Sequence, residues 1–212
     1  LEELYAEDFR ETKVLTVLNS KGGCAKTTVV INLGYELAQL GHRVLVVDAD
    51  LQCNLTYSYQ MDFNKEKSIY RALLNTDDEY TPSNIFDFIQ STGYENLDII
   101  ISDFEMATVE IDLTVKNYRE SVASRLFTPL IEKGVYDYIL VDCNPMLGLL
   151  NQNILLITDL VLIPVELSPF GVMGLDVLFR FIRKAQKVNS KLEVMGILAT
   201  KVDKRYSMTE KA

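Results

Sequence analysis

Residues 19–28 (NSKGGCAKTT) constrain the fold of this chain more than any other stretch. They set a glycine pair between two lysines, Lys21 and Lys26. An apolar run at 14–19 (VLTVLN) precedes them, and Val30, Leu33, Leu37 and Leu40 follow at helical spacing up to Gly41. A strand, a glycine-rich turn and a helix in that order build an anion cradle, because the turn's N–H groups and the positive end of the helix face one point. Gly22, Gly23, Cys24, Ala25 and Thr28 are expected to contribute to that cradle. Lys26 is placed to reach β- and γ-phosphates, and the Thr27 hydroxyl to ligate Mg²⁺.

Composition narrows the class. The chain has 212 residues, 48% hydrophobic and 24% charged, enough to bury a full core as one domain, taken as residues 1–212 with an N-terminal extension over 1–12. No run approaches the roughly 18 apolar residues of a membrane span, and no signal peptide opens the chain, which predicts a cytoplasmic protein. The missing initiator Met suggests a trimmed or processed start. The three cysteines, Cys24, Cys53 and Cys143, form no C-x-x-C pair and read as free thiols. Cys24 sits near a helix N-terminus, which lowers a thiol pKa, but no histidine is close in sequence to serve as its base. The lone His42 follows Gly41 in a turn and receives no role.

Short apolar runs recur at 43–48, 97–102, 138–142, 160–165 and 194–199, separated by segments long enough for helices. Near-continuous apolar strands alternating with helices predict an α/β fold, a mainly parallel twisted sheet covered on both faces. Helices are expected near 67–74, 83–91, 115–133 and 175–188. Charge is uneven: residues 180–212 carry nine Lys or Arg against three acids, while the chain as a whole is at −9. A basic segment on an acidic body reads equally as a nucleic-acid footprint or as a solvated helix face.

Two further blocks carry carboxylates at strand ends, where open α/β sheets bind ligands. One is Asp48-Ala49-Asp50 followed by Leu51-Gln52-Cys53-Asn54-Leu55-Thr56; the other is Asp142-Cys143-Asn144-Pro145. An ordinary phosphate loop reads G-x-x-x-x-G-K-[ST], and Ser20 and Ala25 stand here where that pattern has glycine. The actual pattern, K-G-G-x-x-K-T-[ST], resembles the deviant Walker A motif of the ParA/MinD family of P-loop ATPases. The Asp48 block is similar to that family's D-x-D-P-Q-x-N-x-[ST], with Leu51 in place of proline, and the Asp142 block to its D-[TC]-x-P. Residues 162–165 and 171–175 resemble the family's P-x-x-x-[AS]-x-x-G-L connection.

The resemblance spans about 14–206 and implies a set of roles. Asp50 would orient the attacking water, Asp48 would support the magnesium shell, Asp142 would hold a water on Mg²⁺, and 143–148 would respond to the γ-phosphate. Lys21 would reach across an ATP-bound homodimer to the partner's nucleotide. Thr-Lys-x-Asp at 200–203 is similar both to the guanine-specificity sequence of GTPases and to the equivalent ParA segment, with Asp203 as the base contact; the Lys21 and Asp50 blocks favour ATP. The family's final helices are expected to be absent from the chain. The leading expectation is a ParA-type ATPase for plasmid or chromosome partition. It would bind DNA non-specifically as the ATP dimer, be stimulated by a centromere-binding adaptor, and associate with the bacterial nucleoid. A MinD-like membrane-associated regulator and a nucleotide-dependent scaffold with little turnover, suggested by Ala25 and Leu51, are the alternatives.

Overall fold

A computed structural model describes residues 11–76, 83–167 and 174–202. Seven strands form one sheet in the order β3-β4-β2-β5-β1-β6-β7. They are β1 (Lys13–Val17), β2 (Val44–Ala49), β3 (Gln90–Ser91), β4 (Leu97–Ile100), β5 (Tyr138–Cys143), β6 (Leu160–Glu166) and β7 (Glu193–Thr200). All pairings are parallel except that of β3 with β4. β2 and β5 are apolar on both faces, as a strand covered on both sides must be, and Val44 to Val47 are buried in β2 and Ile139 to Val141 in β5.

Among the described residues, seven α-helices cover the sheet: α1 (Lys26–Gln39), α2 (Asn54–Ser58), α3 (Ile69–Leu74), α4 (Val109–Thr114), α5 (Val122–Glu132), α6 (Leu149–Ile157) and α7 (Leu175–Gln186). One core cluster lies on the face of α1 and α2, through Val30, Ala38 and Leu55. The other joins α3 to α7 on the opposite face, through Leu73, Leu113, Leu126, Ile154 and Leu178. The expected two-faced α/β sheet is what the chain forms.

Two helical expectations shift. Residues 83–91 form a short 3₁₀ turn, Ile85–Phe88, capped by the Asn84 side chain, and then the edge strand β3. The helix expected over 115–133 starts only at Val122, because Tyr118 turns left-handed at φ 50° and breaks the path. α4 and α6 were not foreseen as separate helices.

The order also fixes where ligands go. β1 lies between β5 and β6, and the chain leaves it for β2 on one side and reaches β6 and β7 on the other. That reversal is a topological switch point, and the crevice beyond the strands' C-terminal ends there is the binding position of such sheets.

Candidate active site

The phosphate loop stands in that crevice. Leu18 N–H donates to Leu162 O at 3.1 Å, and Asn19 Nδ2 donates to Pro164 O at 2.7 Å, so the loop's start is fixed to β6. Asn19 Oδ1 accepts from Lys21 N–H at 2.9 Å, which turns the chain upward. Gly23 takes φ 72°, the left-handed region open to glycine, and Ala25 takes φ 73° as the N-cap of α1. From β7, Thr200 Oγ1 donates to Cys24 O at 3.1 Å and holds the loop's far side.

The two lysines part company. Lys26 is buried, with Nζ donating to Lys21 O at 3.3 Å under the loop. Lys21 Nζ lies outside it, 3.2 Å from Glu166 Oε2, the last residue of β6. Lys201 Nζ shares the same carboxylate at 3.8 Å. The loop, Asp50, Gln52, Asn54, Tyr57, Pro145 and Lys201 line one open cleft of about 520 Å³. A second cavity of about 370 Å³, around Thr12, Thr158 and Asp159, opens below the opposite ends of the strands and contains none of these groups.

Three carboxylates at the strand ends have different environments. Asp142 is fully buried at the end of β5, and neither of its oxygens has a hydrogen-bond partner among the described residues. Burial pushes its carboxyl up to about 7. Asp48 and Asp50 push the same way, while Lys26 and the Thr27 hydroxyl, which is near without meeting hydrogen-bond geometry, oppose them. Asp48 is also fully buried, yet it accepts from Thr56 N–H at 2.8 Å, Thr56 Oγ1 at 2.7 Å and Asp50 N–H at 3.2 Å. Burial raises it to about 6 against those hydrogen bonds. Asp50 sits at the cleft, its Oδ1 accepting from Gln52 N–H at 3.0 Å.

Sequence reasoning missed the polar links between these ends. Ser102, just past β4, donates through Oγ to Asp50 O at 2.9 Å and through N–H to Thr56 Oγ1 at 2.9 Å, joining the Asp48–Thr56 pair to the neighbouring strand. Thr56 stood in the recognised block; Ser102 and Glu166 belonged to no motif, and only the sheet order brings them here. Asp203 lies outside the described residues. The three thiols are free and buried, and burial raises the pKa of each, which removes Cys24 as a nucleophile.

A family model described as an AAA domain matches residues 12–194. The chain is 37% identical over 198 residues to the sporulation initiation inhibitor protein Soj of Bacillus subtilis, covering 92% of this chain and 75% of that protein. It is 32% identical over 200 residues to the chromosome partitioning protein ParA of Caulobacter vibrioides, covering 93% of this chain and 73% of that protein. The chain belongs to the ParA/Soj family of partition ATPases. Among solved structures, the cobyrinic acid a,c-diamide synthase of Mycobacterium smegmatis with bound ADP and magnesium superposes with a TM-score of 0.84 at 30% identity, over 94% of this chain and 79% of that one. The ParA/Soj fold, with its P-loop at the switch point of a mostly parallel sheet, is thus the fold found here. No described helix is long and apolar enough to cross a membrane.

Proposed function

We propose that this chain is an ATP-driven dimer switch of the partition type, slow on its own and stimulated by a protein partner, which holds DNA non-specifically in its ATP state. The observation that carries this reading is the separation of the two loop lysines. Lys26 is buried within the cradle, where it serves the chain's own nucleotide, while Lys21 points out to Glu166 at the rim, free of that duty. A second cation at the rim has a purpose when another subunit's phosphates arrive there. The same gain of charge neutralisation makes nucleotide favour the dimer and hydrolysis release it.

The residues fit a magnesium–nucleotide complex. Asp142 offers two buried oxygens without partners beside Thr27, and a dication is the group that repays such a buried charge. Magnesium, when bound, neutralises the phosphate charge that develops in transfer. Thr27 and Asp142 would hold it, Gly22, Gly23, Cys24, Ala25 and Thr28 would supply loop contacts, and Asp50 would orient the water. Asp48, whose carboxylate accepts three hydrogen bonds, would support the magnesium shell while it holds Thr56 and the Asp50 turn in place.

Two variants test the division of labour. Lys26→Ala is expected to weaken nucleotide binding by roughly 30-fold or more, as loss of a buried charge partner does. Lys21→Ala is expected to keep monomer affinity and lose dimerisation in a non-hydrolysable analogue. Sedimentation that finds an unchanged dimer in Lys21→Ala refutes the cross-subunit role.

A further inference from the structure

Helix α6 starts with no cap of its own. Its N-cap is Gly148, and no acidic residue stands in its first turn. The first N–H groups of a helix have no partners inside it. Here two of them are satisfied from another element: Leu149 N–H donates to Glu110 Oε2 at 2.7 Å, and Leu150 N–H donates to Glu110 Oε1 at 3.1 Å. Glu110 belongs to α4, so one carboxylate ties two helices together at the end where the helix dipole favours negative charge.

Gly148 is the other half of this joint. A Cβ there would overlap the Glu110 carboxylate, with Cδ and Oε2 at 2.6 Å. Its φ of −104° is open to any residue, so what a side chain there would meet is the Glu110 carboxylate, which would have to move aside. The segment between Asp142 and this joint is braced internally. Asn151 Nδ2 donates to Asn144 O at 2.9 Å and to Met146 O at 2.6 Å, while Asn144 Oδ1 accepts from Met146 N–H at 2.8 Å. One end of 143–148 is therefore set by the Asp142 strand and the other by Glu110.

We infer that Glu110 is a positioning residue, which couples the Asp142 loop to α4 so that α4 responds when the loop engages a nucleotide's terminal phosphate. Glu110 reaches no part of the cleft and acts only through the loop. The inference rests on the ATPase reading above. The outer face of α4, where Ile111 is 70% exposed, is then a surface whose position reports nucleotide state.

The test separates a tether from a mere cap. Glu110→Ala removes both functions, and adding Gly148→Ser restores a local N-cap in the space vacated, without the link to α4. Hydrogen exchange is compared with magnesium and either ADP or a non-hydrolysable ATP analogue. In the wild type, the ATP analogue is expected to slow exchange roughly tenfold relative to ADP in 143–148 and in α4, with the phosphate loop protected by both. The double variant is expected to keep phosphate-loop protection and nucleotide affinity, lose the α4 response, and turn over roughly tenfold more slowly at unchanged KM. A wild-type α4 response and rate in the double variant overturn the inference, as does a wild-type α4 indifferent to the analogue while the phosphate loop is protected. No protection of the phosphate loop in the wild type defeats the nucleotide reading and the coupling with it. If the double variant fails to fold, Glu110→Gln keeps the side chain's length but halves its acceptors; an undiminished α4 response there overturns the inference equally.

Discussion

Asp142 is the residue at which burial and chemistry conflict most directly. Its carboxyl is raised from 3.8 to about 7, so the folded chain binds that proton more tightly than the unfolded chain does. The stabilisation this gives is complete below about pH 4 and is lost as pH rises through about 7; Asp48, raised to about 6, contributes with the same sign. Without magnesium and nucleotide, melting temperature is expected to fall between pH 5 and 8 less steeply in Asp142→Asn than in the wild type. At pH 8 the variant should melt higher, by roughly 2–4 °C per kcal/mol recovered. A variant that melts no higher at pH 8 rejects this account. If Asp142 holds magnesium as proposed, magnesium–nucleotide affinity is expected to run the opposite way, rising with pH as Asp142 ionises. The placement of Asp142, Asp50, Lys21, Lys26 and Thr27 at the loop and the neighbouring strand ends was legible in the sequence because each sits in a contiguous block around a strand end. Glu110, Ser102 and Glu166 were not, because each acquires its partner through a contact between elements distant in the chain.

At the scale of elements, the inner strands were legible because burial on both faces leaves an unbroken apolar run, whereas the two-residue edge strand β3 fell inside an expected helix. α6 was not, since LLNQNILLI is apolar around most of its circumference and its two buried asparagines, Asn151 and Asn153, look like surface residues until their backbone partners are seen. The same scale governs Lys21. The end of β6 places Glu166 beside both Lys21 and Lys201, a partly exposed cluster that keeps Lys21 on its own subunit. Reaching a second subunit means leaving that carboxylate. Glu166→Gln should therefore shift analogue-driven dimerisation to roughly two- to fivefold lower protein concentration, the scale of a partly exposed ion pair. Sedimentation in which Glu166→Gln dimerises no more readily than the wild type removes Glu166 as a restraint.

Across the whole molecule, charge is unevenly spread, and one helix carries a basic face. Arg180, Arg183, Lys184 and Lys187 are exposed on α7 or at its end, while Leu178, Ile182 and Ala185 anchor the opposite side in the core. The part of the basic segment on α7 is thus a solvated face by geometry, and it is the face on which the proposed DNA contact is tested. In the ATP-analogue state, Arg183→Glu with Lys184→Glu is expected to weaken non-specific DNA binding about tenfold or more at 0.1 M salt and to flatten its salt dependence. Binding with unchanged salt slope excludes α7 as the contact. The sheet's other boundary is β7, an edge strand with Met195 57% and Ile197 54% exposed.

The burial of all three thiols has a practical consequence for following these motions. Cys24, Cys53 and Cys143 are the chain's only cysteines, each shielded and held in the unreactive protonated form at neutral pH. A single cysteine introduced at Ile111 or Ile197 becomes the one site open to an environment-sensitive maleimide dye, so changes around α4 or the sheet edge can be followed in solution with the native interior left untouched.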